Sequence, residues 1–557
     1  MSQPISSQTP INSLGRPCTT VMSTSGMVSS PNYLVSQVAL SILKQGGNAI
    51  ESAIAAASAM SVVYPHMNTI GGDNFWLIYN ALTAEIKGIE STGSAGKNVT
   101  SNFYRSLGYD RIPARGYLAA NTVPGAVAGW NAAFNYSQQQ MNGTSKWQDL
   151  LKSAIEYADD GFPVSVNQHQ WLQRNLDSAD REFGLQQFEG FSSIFFKPNG
   201  KPYKSGEILR QKDLAETLKR IAEQGADEFY QGETAEKIVT DLQSHGGLLT
   251  LDDFARHKAR WVEPISVDYR GNRAYNLPPP TQGIASLQIL SIIDNFNIKD
   301  LGEGTADYYH LIVEATKLAF ADRDRWVGDP DFVNIPLARL LSKSYNQELG
   351  KQINMQFARN DCSSSLESDT AWLGVVDKDG NAVSFIQSIA DGFGSGIVAK
   401  DTGVLLQNRG KFFSLDKNQT NYLEPLKRTY HTLNPAMLLK QGKPYLVYGT
   451  MGGEGQPQTQ AALVTRIVDF DFSAQQAVEA PRWIQGRNLG SQTNELKIEG
   501  RVARSVVDEL KQRGHRVNIQ PNYTDVMGHA GVIAIDLPTQ VRSGGADPRG
   551  DGLAIGY

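Results

Sequence analysis

The chain has 557 residues and a mass of 61.0 kDa, and its 52 Lys and Arg against 57 Asp and Glu give a formal net charge of −5. Hydrophobic residues make up 40% and charged residues 20%, a balance typical of a globular protein and not of a disordered one. No basic stripe interleaved with aromatic residues stands out, so we do not expect nucleic acid as a partner.

The sequence offers neither a disulfide framework nor a membrane anchor. Its two cysteines, Cys18 and Cys362, lie far apart in polar stretches. Residues 1–17 lack the apolar core of a secretory signal, and the longest apolar stretch, 53–64, is too short to span a bilayer. We therefore expect a cytoplasmic protein that has no membrane partner and whose residues 1–30 form a flexible leader.

The first predicted elements in chain order are helical. Residues 32–63 show an apolar face, interrupted at 46–48, and continue as an Ala-rich helix whose small side chains predict close packing against a neighbour. Residues 75–79 are predicted to form a strand after a Gly-rich turn.

Amphipathic helices are predicted over most of residues 149–242, and a further helix over residues 308–325. Between them, the segment 270–283 is rich in Gly and Pro, and we expect a rigid loop there.

The character of the sequence changes sharply at Thr370. Residues 347–369 are polar and Ser-rich and are not expected to pack, whereas residues 372–376 and 382–386 are apolar and flank a turn. This pattern predicts a buried β-hairpin that begins directly after an irregular segment.

A threonine at such a junction is a candidate nucleophile. Its hydroxyl becomes reactive when a free α-amine on the same residue acts as the base, and an α-amine has a pKa of about 7.7–8.0. Exposing that amine requires a cut between Asp369 and Thr370, which the hydroxyl itself could make by attacking the carbonyl of Asp369. The alternative is that Thr370 merely begins a strand, where β-branched residues are common.

Other chemistries find less support in the sequence. The eight histidines are scattered and include no His-x-x-x-His pair, so we expect no metal or other cofactor, and we interpret His66 and His310 as structural. No Gly-x-Gly-x-x-Gly follows a strand with an acidic residue about 20 positions later, and no Walker-type lysine follows a Gly-rich run. A nucleotide-binding protein is therefore disfavoured.

Nine short blocks, many of them built on glycine, punctuate the chain in a fixed order. They lie at 46–49, 65–72, 123–130, 269–271, 278–283, 314–323, 393–398, 451–453 and 547–552. Together, from about residue 31 to residue 557, they resemble the γ-glutamyltransferase family of N-terminal-nucleophile hydrolases. The resemblance implies an α+β fold, a four-layer αββα sandwich formed jointly by a large fragment, 31–369, and a small fragment, 370–557, of one cut precursor.

The resemblance also implies roles for individual residues. Thr370 matches the family's nucleophile, with the cut after Asp369. Ser388 matches a hydroxyl that hydrogen-bonds the nucleophile, at a position where we expect threonine. Gly452 and Gly453 match a pair whose backbone N–H groups hold the oxyanion, and donors of this kind contribute about 2.7–4 kcal/mol each.

The residues that match the family's substrate-binding positions depart from its pattern. Phe412 occupies the place of an aspartate that pairs with the α-ammonium of γ-glutamyl compounds, and a phenyl ring cannot replace that carboxylate. Two serines that hold the α-carboxylate are replaced by His431 and Thr432.

The loop that carries Phe412 has gained cations. Its residues Asn408 and Arg409 belong to a Gln-Asn-Arg-Gly run, which Lys411 follows closely. An early substrate-binding arginine of the family has no unambiguous match; Arg105 and Arg115 are candidates, and position favours Arg115.

These changes predict a small-molecule amide substrate that bears a carboxylate but no α-ammonium. Oxamate is favoured, because residues 70–76, 431–435 and 455–460 are most similar to the oxamate amidohydrolases of the family. γ-Glutamyl hydrolysis or transfer, as in glutathione hydrolases, and a cephalosporin-acylase-like activity remain alternatives. The presence of Thr370, Ser388 and the Gly452-Gly453 pair argues against an inactive scaffold.

Overall fold

Two seven-stranded antiparallel sheets form the centre of the molecule in a computed structural model that describes residues 19–177, 184–359, 369–486 and 494–557. The first, the Thr370 sheet, has the strand order Leu553–Gly556, Met27–Ser30, Asp369–Val376, Ala382–Ala390, Asp73–Asn80, Glu85–Ser91 and Arg260–Val262. The second sheet has the order Val21–Ser23, Arg542–Ala546, Ala530–Ile535, Lys443–Thr450, Ala436–Lys440, Asn272–Asn276 and Ile265–Tyr269.

Helices cover the outer face of each sheet. Those against the Thr370 sheet are Tyr33–Lys44, Ala49–Val63 and Ala126–Gln140, backed by Trp147–Asp160 and Lys212–Gln224. Those against the second sheet are Gly283–Ile293, Gly455–Val468 and Ala474–Glu479, backed by Ala306–Trp326. The four-layer αββα order expected from the resemblance is therefore confirmed, and none of the described helices is long and apolar enough to cross a membrane.

Smaller elements complete the described chain. The remaining helices are Ser101–Ser106, Val166–Asp177, Glu189–Phe195, Asp227–Gln231, Glu233–Ser244, Leu251–Arg256, Ile298–Leu301, Leu337–Leu340, Lys343–Gly350 and Arg504–Gln512, with 3-10 turns at Leu185–Gln187, Arg409–Phe412 and Asp525–Met527. The remaining strands pair as Phe162–Pro163 with Ile208–Leu209, Val398–Ala399 with Val404–Leu405, and Trp483–Gln485 with Glu495–Glu499 and Arg516–Gln520.

The facing sides of the two sheets pack around Trp372. A Cβ added to Gly449 would lie 2.2 Å from its ring, and one added to Gly531 would lie 2.4 Å from it, so both glycines are needed for the sheets to close on this side chain. The indole Nε1 donates to Ser384 Oγ at 2.9 Å. Thr370 lies two residues before Trp372 on the same strand.

The Ala-rich helix predicted near residue 49 spans Ala49–Val63, and every one of its residues is buried. Asn48 and Glu51 form a capping box at its start. Ala and Ser side chains along the helix let Trp147–Asp160 approach closely, as the composition predicts.

The strand predicted at 75–79 and the hairpin predicted around the 377–381 turn are confirmed as Asp73–Asn80 and as Asp369–Val376 with Ala382–Ala390. The helices predicted over 149–242 and 308–325 are confirmed as well.

The expectation of a flexible leader over 1–30 is wrong for residues 21–30. Val21–Ser23 pairs with Arg542–Ala546, and Met27–Ser30 pairs on one side with Leu553–Gly556 and on the other with Asp369–Val376. These short strands are held by partners more than 300 residues away, which local composition cannot reveal. Residues 1–18 lie outside the described residues.

Two other expectations about irregular segments need correction. Within 270–283, residues Asn272–Asn276 form a strand that pairs on both sides, so only the Pro-rich end is a loop. Within 347–369, helix Lys343–Gly350 reaches the second helical layer, where Leu349 is buried, while 360–368 lie outside the described residues.

Candidate active site

Thr370 lies at a β-bulge, fully buried near the start of its strand. Asp369 pairs with Ala390 and Ala371 with Gln387, so two residues of the neighbouring strand stand opposite Thr370 alone. Bulges of this kind re-aim side chains next to active sites. Thr370 Oγ1 is buried and has no hydrogen-bond partner within the described residues.

The backbone opposite Asp369 is strained. Ala390 has φ +77° and Phe393 has φ +63°, in a region that favours glycine. Strain of this type costs on the order of 1–3 kcal/mol per residue and clusters at functional sites. It lies next to the peptide bond at which the sequence predicts the cut.

The hydroxyl of Ser388 is held by two donors. Arg409 Nη2 and the backbone N–H of Ala390 each donate to Ser388 Oγ at 2.9 Å. The hydrogen bond from Ser388 to the predicted nucleophile is not formed in this uncut chain, since Thr370 Oγ1 has no partner among the described residues. That expectation is therefore wrong for the precursor, in which the long Arg409 side chain orients the hydroxyl.

Arg409 is a buried cation at the centre of the site. Besides Ser388, its guanidinium reaches Thr432 Oγ1 from Nη1 at 3.4 Å, and it lies 4.9 Å from the centre of the Phe412 ring. Three of the residues predicted from the sequence, namely Ser388, Arg409 and Thr432, thus lie in direct contact.

Asp73 and His431 lie beside this guanidinium. Burial raises the pKa of Asp73 to about 6, against the opposing effects of Arg409 and of hydrogen bonds from Gly93 N–H and Gln407. Burial, and then Arg409, hold the pKa of His431 well below its ordinary value. His431 is therefore neutral; because its Nδ1 accepts from Leu433 N–H, its proton lies on Nε2, 3.4 Å from Asp73 Oδ2.

A second polar cluster surrounds Asp391, the residue after Ala390. Its backbone N–H donates to Asn408 Oδ1 at 3.1 Å, and its Oδ2 accepts from Asn408 Nδ2 at 2.8 Å and from the ammonium of Lys411. Arg115 donates to the carbonyl of Gly394 in the same loop and to Asn175 Oδ1. Burial alone would raise the pKa of Asp391, but Lys411 and Arg115 hold it below its ordinary value.

Gly452 and Gly453 form a turn with φ +118° and +53°, and neither backbone N–H has a hydrogen-bond partner within the described residues. A side chain at Gly452 would be strained, and its Cβ would lie 3.1 Å from Gly528 Cα. Two adjacent N–H groups without partners are suited to bind a developing negative charge.

Gln282 ties this turn to the segment that carries Thr432, which precedes the strand Ala436–Lys440. Its Nε2 donates to the carbonyls of Thr432 at 2.7 Å and of Gly453 at 2.8 Å. Its Oε1 accepts from Tyr430 at 3.1 Å and from Arg323 at 3.2 Å. All hydrogen-bonding positions of this buried amide are used, which fixes its orientation.

Sequence reasoning missed Asp73, Asp391 and Gln282. Gln282 stands within one of the blocks of the resemblance, Asp73 directly after another and Asp391 just before a third, so their neighbourhood was visible in the sequence. Their burial and partners, however, depend on segments remote in sequence.

A cluster that could hold a metal ion lies in the second helical layer, formed by His310, Glu314 and His515 with ligand atoms within 4.8 Å of one another. These atoms already have partners: His310 Nδ1 lies 2.8 Å from His515 Nε2, and Glu314 Oε1 accepts from Lys317 Nζ at 2.6 Å. Two buried histidines and a neutralised carboxylate fit the structural role expected for His310.

The chain is similar to proteins of one family over nearly its whole length. The model of the gamma-glutamyltranspeptidase family matches residues 35–557. The chain is 45% identical to the glutathione hydrolase-like YwrD proenzyme of Bacillus subtilis, over 96% of this chain and 99% of that protein. It is 41% identical to the oxamate amidohydrolase proenzyme of Klebsiella pneumoniae, again over 96% and 99%.

Among solved structures, the cephalosporin acylase from Bacillus halodurans superimposes with a TM-score of 0.89 at 35% identity, covering 100% of this chain and 99% of that one. Family and fold therefore agree with the expectation from the short glycine-rich blocks. The chain belongs to the gamma-glutamyltranspeptidase family and is an enzyme of the N-terminal-nucleophile hydrolase class.

Proposed function

We propose that the protein is a self-processing amidohydrolase that hydrolyses oxamate, with Thr370 as nucleophile. The observation that carries the substrate proposal is the buried Arg409 guanidinium, which contacts Ser388 and Thr432 and covers the ring of Phe412. A guanidinium is suited to hold the carboxylate of a small acyl group next to the nucleophile.

In processing, Thr370 Oγ1 attacks the carbonyl of Asp369. The C–N bond of that peptide breaks, an ester to the Thr370 oxygen forms, and water hydrolyses the ester. The bulge at Thr370 and the strained φ of Ala390 support this step, because they distort the sheet at the bond to be cut. The products are a fragment of residues 1–369 and one of residues 370–557, which remain associated.

In turnover, the new α-amine of Thr370 accepts the hydroxyl proton while the oxygen attacks the amide carbonyl of the substrate. The N–H groups of Gly452 and Gly453 receive the oxyanion. The amine then returns the proton to the departing ammonia, leaving an oxalyl ester on Thr370. Water hydrolyses that ester to release oxalate and restore the hydroxyl.

The residues around Arg409 have distinct roles in this proposal. Arg409 and Thr432 bind the substrate carboxylate, and Asn408 and Arg115 hold the adjoining loop around Asp391. His431 is neutral and hydrogen-bonded to Asp73, and so contributes a polar but uncharged side chain to the site.

γ-Glutamyl hydrolysis is the second candidate, favoured by the 45% identity to a glutathione hydrolase-like protein. A γ-glutamyl substrate carries an α-ammonium, which needs a carboxylate or several acceptors. Here two cations lie near the ring of Phe412, with the Arg409 guanidinium 4.9 Å and the Lys411 ammonium 5.7 Å from its centre. That environment disfavours an added ammonium, and so ranks oxamate above glutathione.

The test is ammonia release from oxamate, compared with release of nitroaniline from γ-glutamyl p-nitroanilide by the same purified enzyme. We expect a kcat/KM at least 10-fold higher for oxamate. A higher kcat/KM for the anilide would contradict oxamate as the substrate and favour γ-glutamyl hydrolysis. Arg409→Met should abolish oxamate turnover, with Arg466→Met, another buried arginine remote from Thr370, as the matched control.

A further inference from the structure

The ion pair between Asp391 and Lys411 is a feature of the site that the proposed reaction does not use. Both side chains are largely buried, with 13% of Asp391 and 14% of Lys411 exposed. Burying two charges is unfavourable unless they pair and hydrogen-bond well. A pair at this depth in a substrate site therefore calls for a reason beyond stability.

The pair lies close to the bond that is cut. Ala390, which precedes Asp391, stands opposite Asp369 across the sheet. Asn408 hydrogen-bonds both the backbone and the carboxylate of Asp391, and it directly precedes Arg409. Asn408 thus connects the Asp391 carboxylate to the loop whose guanidinium is assigned to the substrate carboxylate.

The carboxylate of Asp391 is only partly satisfied by the chain. Its Oδ2 accepts from Asn408 and Lys411, whereas Oδ1 is buried and has no hydrogen-bond partner within the described residues. Leaving a buried carboxylate oxygen without a donor is unfavourable. This acceptor is chemically suited to an N–H group of a ligand.

The ammonium of Lys411 already supplies the positive charge that such a carboxylate attracts. Phe412 contacts this ammonium, because the ring centre lies 5.7 Å from Lys411 Nζ, and it lies 4.9 Å from the Arg409 guanidinium; both distances are within reach of a cation–π contact. With Lys411 in place, a substrate ammonium at this position would lie near two cations, Lys411 and Arg409. It would also have to share the Asp391 carboxylate with Lys411.

We propose that Lys411 occupies, from within the chain, the position beside Asp391 that a substrate ammonium would otherwise take, and that it thereby restricts the enzyme to amides whose acyl group carries a carboxylate without a neighbouring ammonium. This inference rests on the proposed function and identifies the residue that determines the substrate class of the enzyme. Lys411 acts as a specificity determinant, and Asp391 is the group it masks.

The test uses matched pairs of primary amides and measures ammonia release. Succinamate and L-asparagine differ only in whether hydrogen or an ammonium stands on the carbon beside the carboxylate, and glutaramate and L-glutamine form a second pair. In the wild-type enzyme we expect the ammonium-free member of each pair to have the higher kcat/KM. If neither member of a pair is hydrolysed, the ammonium-free member should be the stronger inhibitor of the hydrolysis of the amide that the enzyme does turn over.

Lys411→Met should shift the ratio of kcat/KM, ammonium-bearing over ammonium-free, at least 10-fold upward, because Asp391 then accepts the substrate ammonium. Lys411→Arg should keep the wild-type ratio, since it keeps the charge. The double variant Asp391→Asn/Lys411→Met should lose the gain. Lys427→Met is the matched control, since Lys427 is also buried and bonded to Glu424 and Thr420, and it should leave the ratio unchanged.

An unchanged ratio in Lys411→Met, or a gain that persists undiminished in the double variant, would overturn the inference. Should the variants fail to fold, equal affinity of wild type for the two members of each pair overturns it equally well. A wild-type chain that stays uncut and inactive on every amide overturns the proposed function, and this inference with it. A cut, active enzyme with an unchanged ratio overturns the inference alone.

Discussion

At Ser388 the hydroxyl oxygen already accepts two hydrogen bonds, one from Arg409 Nη2 and one from Ala390 N–H. A hydroxyl with both acceptor positions filled can only donate a further hydrogen bond. Ser388 is therefore suited to stabilise the oxygen of Thr370 once the site reorganises, and not to remove its proton. In the proposed mechanism the α-amine is therefore the base.

Ser388→Ala should lower kcat about 10- to 100-fold, equivalent to roughly 1.4–2.7 kcal/mol in the barrier. The change leaves the buried Arg409 guanidinium without one of its acceptors and removes the donor to Thr370. Ser388→Thr keeps the hydroxyl and should retain activity within a few-fold of wild type. Equal rates for the Ala and Thr variants in steady-state assays would contradict this role.

Asp73 gives the site a pH-dependent contribution to stability. Its pKa is raised from 3.8 to about 6 in the folded chain, so the folded state binds the proton more tightly than the unfolded state between these values. The cost of its buried charge is fully present above pH 6 and is relieved as the pH falls through 6 toward 4.

Relative to Asp73→Asn, which cannot titrate, the wild type should therefore gain stability between pH 7 and pH 4, on the order of 2–3 kcal/mol. Thermal unfolding midpoints of both proteins across this range measure the gain. A difference between the two proteins that does not change with pH, or that changes in the opposite direction, would contradict a raised pKa at Asp73.

Single residues divide into those that the sequence revealed and those it could not. Thr370 and the Gly452-Gly453 pair stand at junctions or in blocks that carry their own signal. Asp73 and Asp391 look like ordinary turn acids in sequence; only the burial imposed by strands and loops hundreds of residues away makes them unusual.

Among the elements, the loop that ends at Gln282 holds the predicted oxyanion turn, Gly452-Gly453. The Gly453 carbonyl has to be fixed because two consecutive glycines with left-handed φ are otherwise free to rotate. Gln282 bonds that carbonyl and the carbonyl of Thr432, and so links the predicted oxyanion turn to the segment that we propose binds the substrate.

Gln282→Met should lower kcat about 10-fold or more and leave KM within about 3-fold, because the donors for the transition state lose their alignment. Gln288→Met is the matched control: Gln288 is equally buried on the following helix and donates to Asp322 and Leu340. Similar kinetic losses in both variants would mean that Gln282 acts on stability alone.

Prediction of helices and strands from the sequence succeeded where the local pattern of residues determines the element. It failed where a strand forms only because a remote segment pairs with it. The alternation around the 377–381 turn is enough to predict the hairpin that begins at Asp369. Residues 21–30 carry no such pattern, and their strands form because Arg542–Ala546 and Asp369–Val376 offer free edges.

At the scale of the whole molecule, the two predicted fragments are interleaved in both sheets. Asp369–Val376 lies between Met27–Ser30 of the large fragment and Ala382–Ala390 of the small one, and Ala382–Ala390 pairs in turn with Asp73–Asn80. In the second sheet, Asn272–Asn276 pairs with Ala436–Lys440.

After the cut, both fragments should therefore elute together in native size-exclusion chromatography and separate only in denaturant, because parting them would expose the ladders and the core of both sheets. Denaturing gels of the eluted peak check this. Fragments that separate under native conditions would show that the interleaved sheets do not hold the enzyme together.

The central claim is that Thr370 cuts the chain and then serves as its nucleophile. The most direct measurement is the denatured intact mass of the purified protein, with the N-terminal sequence of the smaller fragment. The account predicts fragments of 369 and 188 residues, the smaller beginning Thr370-Ala371-Trp372, and a single uncut chain for Thr370→Ala. A wild-type chain that remains a single species of 61.0 kDa on prolonged incubation, or a cut at another bond, would contradict it.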